Sequence, residues 1–174
     1  FALVVIIAIY YYNIFVVLEN IIDNSSAQID VQLKKRAELV PSLVKVVKGY
    51  TKHEKEIYDK ITKARTELIK SRNLNEKIKA GDILQGFLSR LIAIAESNPQ
   101  LQANENYLQL QQELSAIEDK VAFARQYYND SVMDYENASE KFPGVFFFNL
   151  YGRKKREFLK ISESQRDYPK IDLE

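Results

Sequence analysis

The chain has no cysteine and only one histidine, His53. The first absence rules out disulfides and thiolate chemistry and fits either side of a membrane. The second rules out, within one chain, the metal sites built from several imidazoles. Glycine and proline are almost as scarce, five and four in 174 residues, which leaves few places to break a helix. The residues that stand in their place, Leu, Ile, Ala, Glu, Lys and Gln, favour long helices over many short strands. An all-α fold is therefore expected, and the length suits one domain with its own core. An excess of charge of one sign is missing too. The 25 basic and 24 acidic side chains nearly cancel, so no global field draws the chain to nucleic acid, and no such partner is expected.

Catalytic constellations are also lacking. His53-Glu54 has no second His at the spacing of a zinc-protease helix, and no Glu-x-x-His pair of a di-iron bundle occurs. The glycines, at 49, 81, 86, 144 and 152, are too scattered for a phosphate-binding loop. A serine nucleophile would need a base, and His53 sits in the charged run HEKEIYDK, which reads as surface. Neighbouring carboxylates such as Glu118 and Asp119 are commonplace on helices and carry no acid–base argument. The reading is of a non-enzyme with no catalytic residue, no cofactor and no metal.

What is present begins with Phe1 to Leu18, FALVVIIAIYYYNIFVVL, which has no charged residue and one strongly polar one, Asn13. A spanning helix needs about 20 apolar residues, so residues 1–18 are expected to form a transmembrane anchor, with Tyr10, Tyr11 and Tyr12 as an aromatic belt at the interface. The chain begins inside this run and without Met, so residues upstream of Phe1 are expected. The run is long for a buried core helix and lacks the small-residue cleavage site of a signal peptide. Lys34, Lys35 and Arg36 follow within about 20 residues of the anchor, which favours a single-pass protein of the cell membrane with its main domain in the cytoplasm.

No Gly or Pro interrupts the chain between the anchor and Pro41. Phe15, Leu18, Ile22, Ser25, Ile29, Gln32, Arg36 and Leu39 keep a 3-4 spacing and share one stripe of a helix. Burying Ser25, Gln32 and Arg36 on that stripe would require polar partners, which could set a register or bind something. The alternative is a stripe offset by one, using Leu33, Ala37 and Val40 and leaving Gln32 and Arg36 at its wet edge. Pro41 lacks an N–H and disfavours an α conformation at Val40, so a kink or turn is expected there.

Beyond it Leu43, Val47, Tyr50, Glu54, Ile57, Ile61, Ala64 and Leu68 resume the spacing. A third helix is expected from Asn75 to Ser97, and Asn98-Pro99 reads as the cap and first position of the next. The most regular stripe runs through Tyr107, Leu110, Leu114, Ile117, Val121, Ala124, Tyr128, Ser131, Tyr135, Ala138 and Phe142, and it reads as a core-facing seam.

Phe142-Pro143-Gly144 stops that helix. The tail, 143–174, then brings Phe146, Phe147 and Phe148 next to the basic run Arg153, Lys154, Lys155 and Arg156. This is the composition of a segment lying on an anionic membrane surface. The alternative is that the phenylalanines plug the end of the bundle and the basic run is a solvated face.

Several stretches in order and spacing resemble the LemA family of bacterial membrane-anchored proteins. They are Tyr12-Asn13, AQIDVQLKKRAELVPSLV from Ala27 to Val44, VKGYTKHEK from Val47 to Lys55, LQANENYLQLQQELSAIEDK from Leu101 to Lys120, ARQYYND from Ala124 to Asp130, and Phe142-Pro143. The chain departs from that pattern at Ser26, where Trp is frequent, at Tyr135-Glu136, where a second Tyr-Asn is frequent, and at Phe148, where a small residue is usual. The resemblance implies one transmembrane helix and a helical bundle on the cytoplasmic side. It implies no reaction and no catalytic residue. Association of some members with intracellular membrane organelles, and of others with membrane metalloprotease genes, suggests scaffold or adaptor roles.

The expected architecture is thus an antiparallel up-and-down four-helix bundle, residues 19–142, on the N-terminal transmembrane helix, with the turn at Pro41. Its rival is a single kinked helix from Phe1 to about Leu68. The expected function is an oligomerising scaffold at the membrane, contacting lipid and other copies of itself through Ser25, Gln32, Arg36 and the tail. The alternative is a monomeric adaptor that presents the bundle to a membrane protease or signalling partner.

Overall fold

The computed structural model describes residues 2–51 and 54–159. The surface position expected for His53, and the part of the tail beyond Leu159, lie outside them. Every element is an α-helix: α1 Ala2–Lys48, α2 Lys55–Lys70, α3 Leu74–Glu96, α4 Pro99–Gln102, α5 Glu105–Glu140 and α6 Gly144–Leu150. The all-α expectation holds. Helix α1 contains the one stretch, among the described residues, long and apolar enough to cross a membrane.

The turn expected at Pro41 is corrected. Pro41 lies inside α1, which runs on to Lys48. A proline deprives the carbonyl four residues earlier of its donor and normally kinks the helix. Here Arg65 Nε donates to that carbonyl, Ala37 O, at 2.7 Å. The reversal comes instead at Gly49–Thr51, where Tyr50 N and Thr51 N both turn back to Val47 O. The rival reading fails as well, because α2 is a separate helix starting at Lys55.

The described residues form two compact units, 2–31 with 120–159, and 32–119; α1 and α5 each contribute to both. In the second unit the helix directions follow from the contacts. Thr51, past the end of α1, meets the Tyr58 hydroxyl and Arg65 meets Ala37, so α2 runs back along α1. Asn73 caps α3 by accepting from Glu76 N at 2.8 Å, and α3 packs on α2. Asn98 then accepts from Gln100 N and Leu101 N, with Pro99 in the first turn of α4, as the sequence predicts. Asn104 reaches Tyr50 OH at 3.0 Å, which sets the start of α5 beside the end of α1. The core here is Leu33, Ala37, Val40, Leu43 and Val47 of α1 with Ile57, Ile61, Ala64 and Leu68 of α2 and Leu84, Leu88, Leu91 and Ala95 of α3, all buried.

In the first unit, Tyr135 of α5 lies against Phe15 and Gly144 lies against Tyr11, so the end of α5 runs antiparallel to α1. Phe15, Ile22, Ser25 and Ile29 of α1 and Val121, Ala124, Val132 and Tyr135 of α5 are all buried in this unit, and Phe15 meets Tyr135 directly. The seam read along α5 is buried at every position from Leu114 to Tyr135; Leu110 and Ala138 are half-buried and Phe142 is 87% exposed. Phe142 escapes because the helix ends at Glu140, before the periodicity does.

Candidate functional site

The residues nominated by sequence are placed in two groups. Ser25 is fully buried, but its hydroxyl donates to the carbonyls of Ile21 and Ile22 in its own helix, 2.9 Å from each. It needs no partner from elsewhere. Arg36 is buried beside Leu33, Ala37 and Val40, which overturns its placement at a wet edge; Nη1 donates to Gly81 O at 3.3 Å. That approach is possible because Gly81 has no side chain: a Cβ there would collide with Leu33. Gln32 is half-buried. The polar stripe is therefore real, and the bonds recorded for Ser25 and Arg36 are made inside the chain.

The tail is built around one carboxylate that sequence reasoning did not single out. Glu19, the first charged residue after the apolar run, pairs with Arg153. The Tyr135 hydroxyl lies 2.9 Å from Glu19 Oε1 and 3.1 Å from the Lys154 carbonyl, with one proton to serve both acceptors. The guanidinium also stands over the rings of Tyr12 and Phe15, 5.3 and 5.7 Å from their centroids, a cation–π arrangement that strengthens where water is excluded. Arg156 approaches Asp23 at 3.5 Å and Lys155 pairs with Glu140 at 2.5 Å. The basic run is therefore not one solvated patch. Three of its four side chains face carboxylates of α1 and α5, and Lys154 is exposed.

Burial works to raise the Glu19 pKa, but hydrogen bonds from Arg153 and Tyr135 and the charges of Arg153 and Arg156 outweigh it and hold the carboxyl below its ordinary value. The same contacts act oppositely on Tyr135. Burial first, then the hydrogen bond to Glu19 and its charge, push the phenol up to about 12. The cluster is thus locked as carboxylate, guanidinium and neutral phenol across the neutral range.

Beneath this polar lock is an aromatic one. Phe15, Tyr135 and Phe148 form a triangle with centroids 5.5 to 6.0 Å apart, each pair edge-to-face, the geometry that ring quadrupoles favour. Phe148, which departs from the family pattern, fills the middle of this contact. Phe147 stacks on Tyr11 at 5.5 Å, and Tyr151 OH donates to Ala8 O at 2.7 Å. Phe147 and Phe148 are buried and Phe146 is 62% exposed, so two of the three phenylalanines plug the unit and one does not. The extended segment that follows is held by Asn129, whose Nδ2 donates to Leu159 O at 3.2 Å while its Oδ1 accepts from Leu159 N at 2.8 Å.

Chemically this is a clamp rather than a reaction centre. Its groups are paired with one another, and the Tyr135 phenol bonded to Glu19 is pushed up to about 12 and so stays protonated. No group of three His, Asp or Glu among the described residues could hold a metal. An open cleft of about 600 Å³ in the other unit is lined by Thr51, Glu54, Ile94 and Ser97 through Gln100, which lack a nucleophile–base pair. Glu19, Asp23, Tyr135, Asn129 and Arg65 are the functional side chains that sequence reasoning missed as such. A lone carboxylate at the end of an apolar run, in a chain with a basic tail, was the available signal for the first of them.

Comparison with known proteins gives a consistent result. A sequence model of the LemA family matches residues 25–173. In an alignment 173 positions long that covers 84% of the chain, it is 24% identical to magnetosome proteins MamQ 1 and MamQ 2 of Paramagnetospirillum magneticum. It has the same identity and coverage with magnetosome protein MamQ of Magnetospirillum gryphiswaldense. It spans 64% of the length of each of these relatives.

Proposed function

The chain belongs to the LemA family, and on that premise we propose that it is a non-catalytic module anchored in the cell membrane by α1, which works as a self-assembling scaffold. The anchor is supported by the uncharged run up to Leu18, whose side chains Leu3, Val4, Ile6 and Ile9 are 57 to 69% exposed, a surface that water does not favour and lipid does. The absence of a reaction centre is supported by the scarcity of His and Cys and by the mutual pairing of the tail's charged groups. The printed names of the relatives place them with magnetosomes, and a role in organising membrane is compatible with that. Exposed Lys34 and Lys35 beyond the anchor favour a cytoplasmic bundle.

Self-assembly rests on a single observation outside the anchor. On α5, Phe123 and Tyr127, one turn apart on the same face, are 69 and 41% exposed, an apolar pair on the side of the helix away from its core. A second copy is the occupant that a scaffold requires. The mass of the full chain in mild detergent tests this: an oligomer that dissociates in Phe123→Glu supports the scaffold, and a monomer of about 20 kDa in both forms refutes it. The second reading, a monomeric adaptor, is favoured by the internal bonds of Ser25 and Arg36, and the monomer result would select it.

A further inference from the structure

We infer that α6 is a membrane element: it lies in the lipid–water interface across the aromatic band of α1 and inserts Phe146 and Leu150 among the acyl chains. The inference rests on the anchor reading of α1. Five contacts of residues 144–151 with α1 fall between Ala8 and Phe15: Gly144 and Phe147 on Tyr11, Phe148 on Phe15, and Tyr151 on Tyr12 and Ala8. That stretch of α1 is only about 10 Å tall at 1.5 Å per residue. Gly144 at the start of α6 and Tyr151 just past its end meet α1 at nearly the same level, Tyr11 and Tyr12, so the seven-residue helix crosses α1 rather than following it and lies nearly in the plane of a membrane that α1 spans.

The two faces of α6 differ as an interfacial helix requires. Gly144, Phe147 and Phe148 are buried against α1 and α5, whereas Phe146 and Leu150, four residues apart and on one face, are 62 and 63% exposed. Tyr10 and Ile9, in the stretch of α1 that α6 contacts, are also exposed, at 60 and 57%, so apolar surface is offered by both helices at this level. Lipid does not tolerate unbonded amides. The segment meets this condition at both ends: Val145 N and Phe146 N donate to Lys141 O and Pro143 O, and Tyr151, Gly152 and Arg153 N donate to carbonyls of α6. Exposed Lys141 and Lys154 flank it, placed to reach the headgroups on long stems.

Because Arg153, Lys155 and Arg156 already face carboxylates, the attraction is apolar and does not depend on anionic lipid. This differs from a basic tail lying on a charged surface.

The chain has no Trp, so single-Trp variants of the full chain report one site each. Phe146→Trp, Leu150→Trp, Ile6→Trp on the anchor and Ile69→Trp on α2 would be reconstituted in phosphatidylcholine vesicles, with and without phosphatidylglycerol, and with acyl-brominated lipid. Expected is strong loss of Phe146→Trp and Leu150→Trp emission to bromolipid, protection from aqueous acrylamide, and no change on adding the anionic lipid. Ile69→Trp should behave in the opposite way. Acrylamide quenching of Phe146→Trp with Ile6→Trp still quenched by bromolipid overturns the placement of α6 and leaves the anchor standing. Failure of bromolipid to quench Ile6→Trp overturns both. Protection from both quenchers assigns the face to protein and also overturns the proposal, and so does insertion only with phosphatidylglycerol.

Discussion

Arg65 gives the Ala37 carbonyl the hydrogen bond that Pro41 cannot. Its Nε donates from α2 at 2.7 Å, and it acts where α1 would otherwise carry an unpaired acceptor in its interior. Losing this bond by Arg65→Met should cost about 1–2 kcal/mol. In a Pro41→Ala background the backbone N–H of residue 41 can serve Ala37 instead, and the same change should then cost much less. Denaturant unfolding of the four proteins in detergent measures this as a coupling energy, and strict additivity would refute the relationship.

The Glu19 lock predicts how the tail responds to acid and base. The folded pKa of Glu19 lies below its unfolded value, so its contribution is full above the ordinary carboxylate range and is lost as pH falls through the folded value. Tyr135 has the opposite sign. Raised from 10.0 to about 12, it contributes fully below pH 10 and fades as pH rises through 12. Thermal melts across pH should show a destabilisation in acid that Glu19→Gln flattens, at the expense of lower stability at pH 7. An unaltered acid limb in Glu19→Gln would count against the assignment.

Gly144 carries the turn from α5 into α6, and its position allows no larger residue. A Cβ there would overlap the Ala138 carbonyl oxygen, a backbone atom that cannot move aside, and would press on Tyr11 at 3.1 Å. Gly144→Ala is expected to cost on the order of 3 kcal/mol and to release the tail. Faster tryptic cleavage after Arg153 and Arg156 than in the parent would register that release, and parent-like protection would contradict it.

Ser25 and Arg36 share a stripe and should nevertheless differ sharply on substitution. Ser25→Ala removes only bonds the hydroxyl makes to its own helix and substitutes a better helix former, so the change should stay within about 0.5 kcal/mol of neutral. Arg36→Ala empties a buried volume and removes the guanidinium's bond to the Gly81 carbonyl, at about 3 kcal/mol. Equal effects at the two positions would mean that the stripe is read wrongly.

Periodicity carried most of what the sequence reveals about this fold. Helix type, the seam of α5 and the Asn98-Pro99 start all follow from spacing and cap chemistry, which are local. The reversal near Pro41 was misread because the donor that satisfies the freed Ala37 carbonyl lies 28 positions from it, in Arg65, and no local rule contains it. The partners of the tail's cations were illegible for a related reason. A run of four cations suggests solvent or lipid until their carboxylate partners are found, and Glu19 lies 134 positions from Arg153. Phe146 and Phe148 are alike in composition, and only the registration of α6 on α1 separates the exposed ring from the buried one.

The two bonds between Asn129 and Leu159 carry a consequence for how this chain can drift. An amide that offers one donor and one acceptor to the N–H and C=O of a single residue imitates a neighbouring β-strand, so the Asn129 side chain grips the main chain of the tail at this point. Such a grip is indifferent to the letter at position 159 but not to the one at 129, where Asp could only accept and would forfeit half the hold. Leu159 is itself buried, so its side chain is constrained by packing, and the asparagine adds a second, separate hold on the main chain.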